Sequence, residues 1–270
     1  MSKKQYFLVV DVETANMIND PLVYDLGFCI TDRNGKIYAH ESFIVSDVFH
    51  KEAELMTSAY YANKIPLYYA GIKDKAFKVV TFYEARRKLL DTMKEWNVSE
   101  VYAYNARFDS SALNKTQRWL TKSKYRWFFP YGTKIYDIWH MACQVICTQC
   151  RYIKFCMANN FITEKGHIKT SAETVYAYLQ KDPNFCEAHT GLEDVLIETQ
   201  ILAHCFRQHK KIDKKILWNC WQIPQKKFQE IKKKEEPEKV IVIEKKKRMS
   251  TIEKTALKIL ENQGYKIKSQ

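Results

Sequence analysis

Asp11-Val12-Glu13-Thr14 closes a β-rich run, residues 5–12 (QYFLVVDV). Strand residues two apart project from one face, so the carboxylates of Asp11 and Glu13 point together while Val12 points into a core. Two like charges side by side repel, and the pair is costly unless cations sit between them. A bare D-x-E is also what two exposed loop acids look like. The recurrence of acids at other element ends is what gives it weight. A short strand over 100–104 leads into Asn105-Ala106-Arg107-Phe108-Asp109, where Asp109 opens a helix. An acid there suits a helix N-terminus for dipole reasons alone, but that does not explain its coincidence with the first pair. The third piece is His189-Thr190-Gly191-Leu192-Glu193-Asp194. Asp194 falls beside an apolar stripe, where an unpartnered charge is penalised, and His189 lies in the turn before it.

The elements that must hold these groups follow from periodicity. Residues 22–31 and 36–45 are two further β-rich runs, with Asp32-Arg33-Asn34-Gly35 as the hairpin turn between them. Helical spacing covers Tyr83 to Trp96 (Ala85, Leu89, Met93) and about 109–120. Lys134 to Asp137 reads as a fifth strand running into a helix that carries Trp139, Cys143 and Ile146. Leu192, Val195, Leu196, Thr199, Leu202, Ala203 and Phe206 mark the clearest amphipathic helix. Three strands followed by strands alternating with helices predict one mixed α/β sheet with helices packed on it.

Taken together, D-x-E, N-x-x-x-D and H-x-x-x-x-D in this order resemble the DEDD exonucleases, in particular the histidine subclass that includes polymerase proofreading subunits and ribonuclease T. The resemblance covers roughly residues 5–206. Lys134-Ile135-Tyr136-Asp137 resembles the strand and Asp before that family's penultimate helix, and residues 187–194 resemble its final motif. It implies a ribonuclease-H-like fold, with a five-stranded mixed sheet of a three-strand antiparallel meander plus two parallel strands. It also implies a 3′-5′ exonuclease that releases 5′-mononucleotides. Asp11, Glu13, Asp109 and Asp194 would hold two divalent cations, Mg²⁺ or Mn²⁺, and His189 would be the general base. Thr14, Asn105 and Phe108 would contact the 3′ end of single-stranded DNA or RNA, and the tyrosine-rich stretch 60–69 offers further stacking groups. Tyr178-x-x-x-Asp182 has the spacing of the tyrosine subclass, but Pro183 marks a helix end there.

The formal charge is +13 and it is unevenly spread. Residues 1–206 hold 25 basic and 23 acidic side chains, a net of +2, whereas 207–270 hold 19 and 8, a net of +11. The expected division is an exonuclease domain over 1–210 and a basic, partly helical or flexible extension over 211–270. In that extension Val240 to Ile243 reads as a strand and Ser250-x-x-Glu253 as the start of a last helix. A solvated tail and a nucleic-acid grip share this composition. A non-catalytic binding protein that uses the tail is the rival reading. No two of the seven glycines lie closer than eight positions, which excludes G-x-G-x-x-G and Walker loops. No apolar run approaches a membrane span, so a cytoplasmic protein with reduced thiols is expected. Cys143, Cys147, Cys150 and Cys156 could bind zinc, although the first three also form one helical stripe suited to a core.

Overall fold

A computed structural model describes residues 4–16, 19–59, 62–235, 240–243, 251–263 and 266–269. The chain forms two compact units, Met1–Gln225 and Lys226–Gln270. The first opens with β1 (Tyr6–Ala15), β2 (Leu22–Asp32) and β3 (Ile37–Val45), an antiparallel meander. Asp32 shapes the hairpin turn: its Oδ1 accepts from the backbone N–H groups of Asn34 (2.8 Å) and Lys36 (3.2 Å), and Gly35 takes the left-handed conformation at φ 81°. Every residue of β2 is buried, so this strand is covered on both faces.

Short helices α1 (Ser46–Phe49) and α2 (Ala53–Met56), a 3₁₀ turn (Ala62–Lys64) and α3 (Ile65–Lys73) follow. Then come β4 (Lys78–Val80), α4 (Phe82–Glu95), β5 (Glu100–Ala103), α5 (Ala106–Thr121), β6 (Lys134–Asp137) and α6 (Ile138–Val145). Helices α7 (Cys150–Ala158), α8 (Ala172–Gln180) and α9 (Gly191–Arg207) complete the body. Among the described residues its sheet runs β4-β3-β2-β1-β5-β6, with β5 and β6 parallel to β1. This mixed sheet flanked by helices is the ribonuclease-H-like arrangement that the motifs implied, with six strands in place of five. The added strand, β4, lies parallel to β3 at the sheet edge. At three residues it is too short to show an alternating pattern. Helix α5 starts at Ala106, earlier than its apolar spacing indicated, because Asn105 adopts a left-handed φ of 66° that turns the chain directly out of β5.

Residues 211–225, grouped by charge with the extension, belong to the first unit. Asp137 N–H donates to the Lys214 carbonyl (2.9 Å), Lys214 Nζ reaches Glu100 (3.2 Å) and the Tyr102 hydroxyl (2.8 Å), and the His140 ring bonds the Lys215 carbonyl (2.8 Å). Helix α10 (Gln222–Glu235) runs across the division. The second unit contains β7 (Val240–Ile243), α11 (Thr251–Asn262) and β8 (Lys266–Ser269), with β7 and β8 paired in parallel. Lys245 to Arg248 lie outside the described residues. No helix among those described is long and apolar enough to cross a membrane. Cys143, Cys147 and Cys156 are buried, but α6 ends at Val145 and Cys150 is exposed, so the helical stripe is broken.

Helix α9 meets β2 with almost no space between backbones. A Cβ added at Gly27 would come within 2.0 Å of the Gly191 carbonyl oxygen, and one at Gly191 within 2.7 Å of Gly27 N. The Asp25 carboxylate closes this junction by accepting from Gly191 N–H (3.0 Å), the Tyr68 hydroxyl (2.8 Å) and Ser42 Oγ (3.2 Å). Gly27→Ala is therefore expected to push α9 off the sheet and to cost about 1–3 kcal/mol of stability, read by denaturant unfolding.

Candidate active site

Asp11 and Glu13 sit on the face of β1 opposite to Val12, which joins the hydrophobic core. In the β1–β2 register Asp11 lies opposite Gly27 and Glu13 opposite Asp25, so the side-chainless Gly27 leaves room for α9 above the two acids. Asp109 is in the first turn of α5 and is only 3% exposed. Asp194 is in the first turn of α9 and is 8% exposed. Three elements thus deliver four carboxylates to one place. Asp11 Oδ2 and Asp194 Oδ1 are sealed from solvent and have no hydrogen-bond partner among the described residues. A buried carboxylate oxygen left unpaired is expensive, and here two are left together.

The electrostatics follow from that crowding. Burial raises Asp11 well above the usual carboxylate range, and Glu198, Asp109, Asp194 and Glu13 add like-charge repulsion. Burial pushes Glu13 up to about 9, helped by Asp194, Asp25 and Asp109. Asp109 is raised by burial, with a backbone hydrogen bond from Val12 offsetting part of the effect. Asp194 rises to about 7 through burial, held down partly by Lys64. His189 is lowered, by burial first and then by Lys64. His189 Nδ1 stands 3.9 Å from Asp194 Oδ2 and 3.8 Å from Glu187 Oε2. Among the described residues Glu13, His189 and Asp194 form the one group of three donors whose ligand atoms lie within 4.8 Å of one another; no set of cysteines does so.

The remaining expected residues fall around this group. Thr14 is half-buried at a register shift of β1, and Asn105 is exposed at the mouth of the sheet. Phe108 is partly buried against the core. In the stretch 60–69, Tyr68 is fully buried and bonded to Asp25, Tyr69 is half-exposed, and Tyr60 and Tyr61 lie outside the described residues. Asp137 caps α6 and also accepts from Asn105 N–H (3.2 Å), so it fixes the turn that carries Asp109. Asp182 is exposed beyond the end of α8, and among the described residues it joins no group of three metal-ligating side chains.

Two site residues had no motif to announce them. Glu198, one turn after Asp194 on α9, is 3% exposed, and its Oε2 accepts from Tyr104 N–H (3.1 Å). It is raised well above its usual range by burial and by Asp109 and Asp194, which makes it a fifth carboxylate of the cluster. The i, i+4 spacing from Asp194 was the available signal. Lys64, at the start of α3, donates to the Ala188 carbonyl and is the cation that lowers Glu13, Asp194, Glu187 and His189.

No protein-family model matches the sequence, and no curated protein does. Solved structures are similar in architecture. E. coli Exonuclease I in complex with a dA16 oligonucleotide has 15% identity and a TM-score of 0.45 over 76% of this chain. The zinc-bound E. coli ExoI–ssDNA complex gives 14%, 0.48 and 77%, and the moderately thermophilic Exonuclease I from Methylocaldum szegediense gives 14%, 0.47 and 76%. This chain spans 43%, 41% and 41% of those chains, less than half of each.

Raised folded-state values mean that the native protein holds more protons than the unfolded chain between the two pKa values. Stability of the metal-free protein is then full below the ordinary carboxylate range near pH 4 and is lost as pH rises through about 7 and about 9. In chelator, Tm is expected to fall between pH 5 and 9 and Glu13→Gln to flatten the fall; a Tm that rises across this window contradicts the cluster.

Proposed function

We propose that the protein is a metal-dependent 3′-5′ exonuclease that hydrolyses the terminal phosphodiester bond of DNA or RNA and releases 5′-mononucleotides. The convergence of Asp11, Glu13, Asp109 and Asp194, with two buried oxygens unpaired, is the observation that carries this reading. Simple nucleic-acid binding has no use for converging acids, which repel a phosphate backbone. The donor set fits hard cations: carboxylate oxygens suit Mg²⁺ or Mn²⁺, and the orphaned oxygens are where a cation would complete the bonding. Asp11, Glu13 and Asp194 would hold one ion, and Asp11 with Asp109 would serve a second. Bound there, such ions neutralise the acids and stabilise the attacking and leaving oxygens of an in-line displacement.

The chain's own residues supply the proton chemistry and positioning. Because burial and Lys64 lower its pKa, His189 is neutral at neutral pH, and a ring nitrogen can take the proton of an attacking water. Asp194, 3.9 Å away, stabilises the imidazolium that results. Thr14 and the backbone after Glu13 face the 3′-hydroxyl, Asn105 lies at the entrance, and Phe108 is a stacking group for the terminal base. The grouping of Glu13, His189 and Asp194 favours a second arrangement in which His189 is itself a metal ligand.

The test is release of nucleotide from a 3′-labelled single strand with Mg²⁺ or Mn²⁺, run on DNA and RNA in parallel. Asp194→Asn is expected to abolish it with the fold retained; undiminished activity contradicts the assignment. His189→Ala is expected to lose about 10²–10⁴-fold in rate while Mn²⁺ still raises Tm. Loss of that Tm shift as well would make His189 a ligand.

A further inference from the structure

The segment from Ser110 to Tyr136 contains six basic residues, Lys115, Arg118, Lys122, Lys124, Arg126 and Lys134, and no acid. Its loop, residues 122–133, also carries three exposed rings: Tyr125 (78% exposed), Trp127 (61%) and the fully exposed Tyr131. Large rings left in water this close together are unusual for a surface with no partner. The loop that carries them is anchored. Phe128 and Phe129 anchor the loop in the core, Phe128 N–H donates to Asn114 Oδ1 (2.8 Å), and Arg86 Nε donates to the Phe128 carbonyl (2.7 Å). Arg118 lies over the Trp127 ring at 4.2 Å and Lys124 lies 5.2 Å from the Tyr125 ring. Between Trp127 and Tyr131 is a cleft of about 250 Å³ with Phe129 and Pro130 in its walls and Asn114 and Thr133 at its edge.

We infer that this face binds single-stranded nucleic acid, with bases stacked on Tyr125, Trp127 and Tyr131 and phosphates held by Arg118, Lys124 and Arg126. Flat rings interleaved with cations, on a segment that itself carries no acid, are what a flexible polyanion with π-faces requires, whereas a duplex hides its base faces. Because the loop backbone is already anchored through Phe128, little ordering of the chain is needed on binding. The face is remote from the carboxylates. Asp109 is in the first turn of α5 and Thr121 ends it, a rise of about 18 Å, which a stacked strand at roughly 3.4 Å per nucleotide covers in about five nucleotides. The inference rests on the exonuclease reading only in placing the strand's 3′ end at the carboxylates. The loop then holds its 5′-ward part, and only strands longer than about five nucleotides gain from it.

The experiment compares wild type with Trp127→Ala/Tyr131→Ala and with Lys124→Glu/Arg126→Glu. Affinity for a fluorescein-labelled thymidine strand of about 20 nucleotides is read by anisotropy in chelator, and turnover of that strand and of a thymidine trinucleotide is read with Mn²⁺. Both variants change exposed side chains, and an unchanged Tm confirms folding. The expected result is at least tenfold weaker binding of the long strand in each variant, with trinucleotide turnover unchanged. A uridine strand of equal length should lose as much, since stacking faces do not read the 2′-hydroxyl. A loss confined to thymidine would assign the face to DNA, and one confined to uridine would assign it to RNA. Unchanged long-strand binding overturns the inference and leaves the face to a protein partner. Equal loss of trinucleotide turnover overturns it too, because the variants would then be acting through the site. Wild type that binds the long strand through these residues yet hydrolyses neither substrate sustains this inference and refutes the exonuclease reading.

Discussion

The contact of α9 with β2 at Gly27 and Gly191 is the constraint on which the rest depends. A side chain at either position would collide with backbone, at 2.0 Å in one direction and 2.7 Å in the other. Only at that separation does the first turn of α9 lower Asp194 onto the strand that carries Asp11 and Glu13. The Asp25 carboxylate secures the approach by accepting from Gly191 N–H, and it is itself held by Tyr68 and Ser42. Packing and chemistry therefore meet at one place: a helix N-terminus, whose dipole favours an anion, carries its acid into a group of others.

The cost of that arrangement is visible in the same residues. Acids removed from water and facing one another are stable only if protonated or neutralised, which is why burial heads the causes for Asp11, Glu13, Asp109, Asp194 and Glu198 alike. Lys64 supplies one positive charge, from outside the motifs, and its effect reaches four of the surrounding groups. One ammonium against five carboxylates leaves a large deficit. Divalent cations would close it, so affinity for metal and the instability of the metal-free site are two sides of one account.

Much of this was legible in the sequence, for reasons that are local. Strand alternation put Asp11 and Glu13 on one face, and helix openings marked Asp109 and Asp194. A mixed sheet with helices packed on it followed from three β-rich runs ahead of alternating strands and helices. What was not legible depends on distant contacts. Glu198 reads as an ordinary polar helix residue until Tyr104 N–H, ninety-four positions away, is seen to hold it. Lys64 is one lysine among many until α3 is folded beside residue 188. Strand β4 is too short to show a period, and the hydrogen bonds that tie Lys214 and Lys215 to β5, β6 and α6 are not encoded in charge composition.

The division of charge also takes on a spatial meaning. The acids gather on β1 and in the first turns of α5 and α9, while one acid-free basic segment lies at the far end of α5. Metal binding by the carboxylate cluster is read by calorimetry: titrate Mn²⁺ into the metal-free protein at pH 7 in two buffers of different ionisation enthalpy. Crowded carboxylates that are partly protonated without metal must release protons when a cation replaces them, so release of about one proton or more per chain is expected. Mn²⁺ binding with no proton release, or no binding at all, would contradict it.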